Sequence, residues 1–219
     1  ETALGFSAGY FLSPELEVPS MDSTLFRAGS RATLRQKSVA VASGANARTL
    51  LAWLRRNFNF PEPNLPDLSG FTPAEAARHA RTIWQLGDKP VPNSVQLAES
   101  LGIAVMGLPP TASAVDAFSM RDGEQPFIFL ARRRTPEGAR FDLAHELGHL
   151  LLHSSDDPRS GKREEDEANQ FAADFLIPPS IVHANLRLHA SLEDILRLKS
   201  ALKVSAMAML RAAYHHGKL

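Results

Sequence analysis

A chain of 219 residues with 44% hydrophobic and 22% charged residues is ordinary for a globular protein of one domain plus an accessory segment, or of two small domains. Lys plus Arg and Asp plus Glu each total 24, so the net charge favours neither nucleic acid nor a membrane, and the absence of cysteine excludes disulfides and zinc–thiolate sites. No apolar run approaches the roughly 20 residues needed to cross a bilayer and no signal peptide is recognisable, so we expect a cytoplasmic location without membrane contact.

The first 70 residues combine a basic segment with a proline-dense connector. No acidic residue occurs from Ser23 to Pro61. Residues 32–57 have the pattern of a helix, whereas the prolines of residues 60–67 cannot continue one. We therefore expect a helical accessory segment over residues 1–70 and a second domain over residues 71–219. The basic segment, residues 27–56, contains Arg27, Arg31, Arg35, Lys37, Arg48, Arg55 and Arg56.

The second predicted domain begins with a helix. Thr72, Pro73 and Glu75 form a start signal with a threonine cap, a proline at the first helical position and a glutamate at the third. From Thr135 the pattern is helical almost to the C terminus. We expect the helix that starts at Thr72 to end at about Leu86 and a second helix to run from Asn93 to Gly102. The expected strands are residues 103–108, 115–120 and 127–131. Helix breaks are expected at residues 156–158, 178–179 and near Ser191. Strands followed by helices predict an α+β domain, mostly helical, with a small three-stranded sheet.

The predicted helix over residues 140–153 is apolar around most of its circumference. Such a helix is buried, so we expect its one polar sector to face an internal cleft. Lys, Arg, Ser and Gln, which fill ordinary solvated faces, do not occur in that sector. It contains Asp142, His145, Glu146, His149 and His153.

His145 and His149 are spaced to bind one metal ion. They lie four residues apart, about 6 Å along a helix, so both imidazoles can converge on a tetrahedral zinc. Glu146 is rotated off the ligand line and can take a proton from water. His153 lies about 12 Å along the axis from His145, so we expect it outside the ligand set.

A catalytic zinc site needs a third protein ligand, usually from another element. Acidic residues open the next predicted helix, and Glu164 and Glu165 lie at the edges of its apolar stripe. Asp166 and Glu167 point away from that stripe. The helical wheel does not choose between Glu164 and Glu165, and acids in a first turn also complement the helix dipole.

Two segments of the chain resemble the ImmA/IrrE family of metallopeptidases. They are residues 141–153, FDLAHELGHLLLH, and residues 165–178, EDEANQFAADFLIP. The resemblance implies a zincin-like domain with a gluzincin type of site, in which Glu165 is the third ligand beside His145 and His149. Glu146 is then the catalytic residue. Asp142 departs from the family pattern, where Thr is more frequent, and is either an acceptor for a ligand histidine or a tolerated residue at the cleft edge.

The same resemblance implies a zinc-dependent endopeptidase that cleaves a partner transcriptional repressor, of the helix-turn-helix type, in a bacterial or phage stress-response circuit. In zincins the substrate lies along an edge strand, for which residues 127–131 are the candidate. Two other readings remain open, an amidase or other hydrolase with the same metal site, and a transcription regulator that uses this fold as a sensor or dimerisation module with little proteolysis.

The chain begins at Glu1 rather than Met, and some relatives carry an upstream helix-turn-helix domain. We therefore expect a fragment of a longer protein. In that protein the basic segment would contact DNA or an acidic partner, or would form a solvated helical face that happens to lack acids.

Overall fold

The computed structural model describes residues 34–112, 115–132, 135–153 and 161–219. These residues form eight α-helices, one short 3-10 helix and a three-stranded sheet, which confirms the predicted α+β class. The helices are α1 (Leu34–Asn57), α2 (Pro73–Ile83), α3 (Ser94–Ser100), α4 (Pro136–Leu152), α5 (Lys162–Leu176), α6 (Pro179–Asn185), α7 (Leu192–Leu202) and α8 (Ala206–His215). The strands are β1 (Ala104–Gly107), β2 (Ala117–Asp122) and β3 (Gln125–Leu130), and the 3-10 helix is Pro110–Ala112. None of the described helices is both long and apolar enough to span a membrane.

Polar caps fix where the helices begin. The capping box predicted for α2 is present, since the Thr72 hydroxyl accepts a hydrogen bond from the Glu75 N–H and the Glu75 carboxylate accepts one from the Thr72 N–H. Helix α4 begins after Thr135, whose hydroxyl accepts from the N–H of Gly138 at 3.1 Å. These caps satisfy amide groups that no carbonyl of the helix can reach.

The C-terminal helices contain one break that we did not predict. Helix α7 ends at Leu202 because Lys203 adopts a left-handed conformation with φ of 56°. Helix α8 then begins after Ser205, whose hydroxyl accepts from the N–H of Ala208 at 3.1 Å. Lysine does not favour positive φ, so the residue type at position 203 gives no sign of this turn.

Strand β3 lies in the middle of the sheet. It pairs in parallel with β1 and antiparallel with β2. The prediction that residues 127–131 form an edge strand for a substrate is therefore wrong, because both sides of this strand are occupied. Strands β1 and β3 are not consecutive, because β2 lies between them in the sequence. Their parallel pairing could therefore not be predicted from the local sequence pattern.

Side chains alternate between the two faces of the sheet. One face packs against α1, and the core between them consists of Ala47, Leu51, Leu108, Ala112, Val115, Phe118, Met120, Phe127 and Phe129. The other face turns Ser119 and Ile128 towards α4. Helix α4 therefore lies between the sheet and α5, and two of its polar residues, Glu146 and His149, are buried there.

Helix α1 lies in the described part of the predicted accessory segment and contacts the hairpin of β2 and β3 through two arginines. Arg48 donates from Nε to Oδ2 of Asp122 at 2.7 Å, and Arg55 donates to Oε1 of Gln125. The structure does not describe Arg27 and Arg31 or the side chains of Arg35 and Lys37. The division of the chain at about residue 70 stays a prediction.

Candidate metal centre

Helix α4 directs two imidazoles to one point. His145 and His149 are one helical turn apart, and their Nε2 atoms lie 3.0 Å from each other. Leu147 and Leu151 on the same helix are buried in the core, so α4 cannot rotate without exposing them. The polar sector predicted from the helical wheel faces inward, and His149 is only 1% exposed.

Glu165 on α5 faces both imidazoles. Its Oε2 lies 3.4 Å from Nε2 of His145, and its Oε1 lies 3.4 Å from Nε2 of His149. The ligand atoms of these three residues lie within 4.8 Å of one another, and the described part of the chain contains no other such group. Glu164, the alternative that the helical wheel left open, is buried but does not belong to the group.

The three side chains fit a zinc ion. Two ligands bound at about 2.0–2.1 Å in tetrahedral geometry lie roughly 3.3 Å apart. The nitrogen and oxygen atoms here are separated by 3.0, 3.4 and 3.4 Å. Within the described residues, Oε1 of Glu165 is buried and accepts no hydrogen bond, as expected of an oxygen whose partner is a cation. Two imidazoles and one carboxylate also leave a fourth position for water or substrate.

Opposite charges govern protonation in this group. Burial raises the pKa of Glu165, but the imidazoles of His145 and His149, each 3.4 Å from one of its oxygens, outweigh burial and hold that pKa well below its usual range. Burial lowers the pKa of His145, but the hydrogen bond to Glu165 and the charges of Glu146 and Glu165 outweigh burial and raise it. Glu165 is therefore an anion at neutral pH and can bind a cation.

Two further side chains contact the ring nitrogens of His145 and His149 that face away from the group, and a third side chain contacts one of these two. Nδ1 of His145 lies 3.1 Å from Oδ1 of Asn169, and because an amide oxygen only accepts, Nδ1 carries the hydrogen. On the other imidazole, Nδ1 of His149 lies 3.0 Å from Nδ1 of His153. Nε2 of His153 in turn lies 3.1 Å from Oε2 of Glu167. His153 therefore lies outside the three-residue group, as its position along the helix predicted.

Glu146 is buried against strand β2. The Ser119 hydroxyl donates to its Oε2 at 2.7 Å. Burial raises the pKa of Glu146 to about 7, opposed by the charge of His145 and the hydrogen bond from Ser119, and reinforced by the charges of Glu165 and Asp142. A carboxyl group whose pKa lies near neutrality can both accept and return a proton.

The fold brings together the side chains that the sequence singled out on two different helices. They are His145, Glu146, His149 and Glu165. Sequence reasoning assigned no role to Ser119, Asn169 or Glu167. Asn169 could have been found, because it lies one turn after Glu165 and therefore on the same face of α5. No local pattern marks Ser119, whose contact with the site crosses 27 residues.

Comparison with known proteins identifies the relatives of this region. The model of the peptidase M78 family, described as the IrrE N-terminal-like domain, matches residues 98–214, more than half of the chain. No curated protein matches. A solved structure of a Mycobacterium tuberculosis transcriptional regulator is similar at 20% sequence identity and a TM-score of 0.44, over 63% of this chain and 44% of the regulator. The chain therefore spans less than half the length of that regulator.

Proposed function

Since this chain belongs to the IrrE N-terminal-like family of peptidases, we propose that it is a zinc-dependent endopeptidase. The metal ligands are His145, His149 and Glu165, and Glu146 is the general base. The observation that carries the proposal is the convergence of two Nε2 atoms and one carboxylate beside a second, buried carboxylate. A structural role alone does not require a glutamate and a histidine, Glu146 and His149, to be buried beside a second histidine and a second carboxylate, because burying charge is unfavourable.

Bound zinc would polarise the scissile carbonyl and lower the pKa of a water molecule. Glu146 is placed to take the proton of that water and pass it to the leaving amine. Its pKa of about 7, raised chiefly by burial, suits both transfers near neutral pH. The hydrogen bond from Ser119 holds one carboxylate oxygen, so the other is available to the water.

Two other functions would use the same fold. A regulator in which the domain only senses or dimerises has no need of an ionisable Glu146 in the core, and the presence of this residue favours the enzyme. An amidase or other hydrolase would share the metal site and the base, and differs from a peptidase only in the substrate it cleaves.

For the substrate we propose a partner transcriptional repressor of the helix-turn-helix type, in a bacterial or phage stress response located in the cytoplasm. The support for this choice is the resemblance to the ImmA/IrrE family.

Contact with DNA, through the basic segment or through an upstream domain, belongs to the same proposal. Arg48 and Arg55 already contact the hairpin, so within the described side chains Arg56 is the arginine of that segment best placed for a phosphate.

The test compares metal content and proteolysis. The purified protein should contain one zinc per chain and cleave a repressor encoded next to it. Glu146→Gln should retain zinc, because residue 146 is not a ligand, and lose cleavage by at least about 100-fold. Cleavage that survives this substitution would overturn the peptidase proposal, and zinc binding without cleavage of any peptide or repressor would favour the regulator.

A matched pair of variants tests the third ligand. Glu165→Gln should lower zinc affinity strongly, because an amide is a weaker ligand than a carboxylate. Glu164→Gln changes the charge of the preceding, buried residue equally and should leave zinc affinity near that of the wild type. Equal losses in the two variants would contradict the assignment of Glu165.

A further inference from the structure

His149 is the first member of a line of three side chains that leads away from the metal site. Its Nδ1 lies 3.0 Å from Nδ1 of His153, and Nε2 of His153 lies 3.1 Å from Oε2 of Glu167. Arg163 donates to the other oxygen of Glu167 at 2.8 Å. The side chain of His153 is 5% exposed and that of Glu167 is 27% exposed. We call His149, His153 and Glu167 the orienting chain.

A zinc ion at Nε2 of His149 and the hydrogen bonds along the orienting chain together determine where each hydrogen lies. Nε2 of His149 faces Glu165, so a zinc ion bound there would leave the hydrogen of His149 on Nδ1. Nδ1–H of His149 then donates to Nδ1 of His153. The single hydrogen of a neutral His153 therefore lies on Nε2 and is donated to the carboxylate of Glu167, which only accepts.

The opposite arrangement would prevent metal binding. If His153 donated from Nδ1, its bare Nε2 would face the Glu167 oxygen, and two acceptors would lie 3.1 Å apart. His149 would then carry its hydrogen on Nε2, where a metal has to bind. The negative charge of Glu167 disfavours this arrangement, although Glu167 touches neither the metal ligands nor the general base.

We propose that His153 and Glu167 are positioning residues for the zinc site. Glu167 selects the tautomer of His153, and His153 selects the tautomer of His149 that has Nε2 free to bind zinc. The inference rests on the proposed function, since only a metal ligand requires this tautomer. Outer hydrogen-bond partners of metal-bound histidines typically contribute about 10- to 100-fold to metal affinity.

Three variants and one control test the proposal. Glu167→Gln replaces an acceptor by an amide that can also donate, so it no longer selects a tautomer. His153→Leu removes the acceptor for His149, and His153→Gln restores an oxygen that can accept from Nδ1. The control is Asp166→Asn, which removes the same charge from the neighbouring, exposed residue of α5.

Zinc affinity is measured by competition with a chelator. We expect Glu167→Gln to bind zinc about tenfold more weakly, His153→Leu about 10- to 100-fold more weakly, and His153→Gln to recover part of that loss. Asp166→Asn should bind zinc as the wild type does. Wild-type affinity in both Glu167→Gln and His153→Leu would overturn the proposal.

A second measurement does not depend on catalytic activity. Long-range ¹H–¹⁵N NMR of the zinc-loaded protein shows which nitrogen of His153 carries the hydrogen. The proposal requires Nε2 in the wild type, and a wild-type hydrogen on Nδ1 would refute it. If the wild-type protein binds no zinc, the proposed function fails. If the wild type binds zinc and the variants bind it equally tightly, the proposed function stands and only the positioning role fails.

Discussion

Gly148 on α4 faces Phe171 on α5 so closely that a Cβ at position 148 would lie 3.0 Å from Cδ1 of the phenylalanine ring. The same Cβ would lie 3.3 Å from Cα of Ala168, a backbone atom. Glycine at this position therefore lets the two helices approach until Glu165, one turn before Ala168 on α5, reaches the imidazoles of α4. The spacing of these helices sets the geometry of the metal centre.

Gly148→Ala should separate the helices and weaken zinc binding. Alanine favours a helix over glycine by about 1 kcal/mol, but overpacking a core costs about 1–3 kcal/mol, so the net loss of stability should be at most about 2 kcal/mol. Zinc affinity should fall by about tenfold, because a shift of a few tenths of an ångström displaces Glu165 from its ligand position. Chelator competition and urea unfolding measure the two effects.

The control for this change is Gly70→Ala, since a Cβ at position 70 meets no atom within 4 Å. We expect the zinc affinity of Gly70→Ala to equal that of the wild type. A Gly148→Ala protein that binds zinc as tightly as the wild type would show that helix spacing does not limit the site.

Ser119→Ala should shift the pH dependence of peptide cleavage to higher pH. The Ser119 hydroxyl donates to Glu146 and stabilises its ionised form, so the loss of that hydrogen bond raises the pKa of Glu146 further. The base must be ionised to act, so the acid limb of the kcat/KM profile should move to higher pH. A hydrogen bond to a charged group contributes about 1.5 kcal/mol, which corresponds to a shift of about 1 pH unit. The profile is measured between pH 5 and 9.

Ser94→Ala is a suitable comparison for Ser119→Ala because Ser94 is also a buried serine but lies on α3, in another part of the fold. Its pH profile should coincide with that of the wild type. If Ser119→Ala lowers activity equally at every pH, Ser119 supports only the packing of β2 against α4.

The sequence predicted the helices and the ligand-bearing face well because each depends on local spacing. The polar sector from Asp142 to His153 could be read from one helical turn to the next, and α4 is buried as its apolar circumference required. The order of the strands could not be read in this way. Whether β3 is central or at an edge depends on its pairing with β1, which lies outside the hairpin.

The same distinction applies within the site. Glu164 and Glu165 are adjacent at the edge of one apolar stripe, and only the packing of α5 on α4 separates their surroundings. Glu167 points away from that stripe, and the wheel therefore gave no reason to connect it with the site. Its contact with His153, the residue that follows α4, is made between two elements, and the periodicity of a single helix does not contain such a relationship.

Zinc binding should release a proton from His145 near neutral pH. The pKa of His145 is raised above its ordinary value of about 6.5, because the hydrogen bond to Glu165 and the charges of Glu146 and Glu165 outweigh the effect of burial. Zinc binds the neutral imidazole, so acidification from pH 8 to pH 6 should weaken zinc binding progressively. A raised pKa places the start of this decline at a higher pH than for an ordinary histidine.

Calorimetry at pH 6.5, in buffers of different ionisation enthalpy, counts the protons released on zinc binding. Deprotonation of His145 should by itself contribute more than half a proton per zinc ion bound, because the pKa of His145 lies above that pH. Binding that releases no proton at pH 6.5 would show that His145 is already neutral there and that Glu165 does not raise its pKa.

Burial of Glu146 makes the stability of the metal-free protein depend on pH. Burial raises the pKa of Glu146 to about 7 in the folded state, whereas a glutamate in an unfolded chain titrates near 4.3. Between these values the folded protein holds a proton that the unfolded chain has lost, so the free energy of unfolding falls as the pH rises. Above pH 7 the folded state carries the full cost of a buried, ionised Glu146, which amounts to about 4 kcal/mol.

Glu146→Gln removes this titration while keeping the shape of the side chain. In the presence of a chelator, we expect Glu146→Gln to unfold at higher urea concentration than the wild type at pH 8, with a difference that shrinks towards pH 5. Glu99→Gln, at an exposed position on α3, should show no such trend. An advantage of equal size at both pH values would mean that the substitution acts through packing rather than through the charge of Glu146. A trend confined to Glu146→Gln would instead show that the fold keeps this carboxylate buried at a cost in stability, as expected of a residue retained for catalysis.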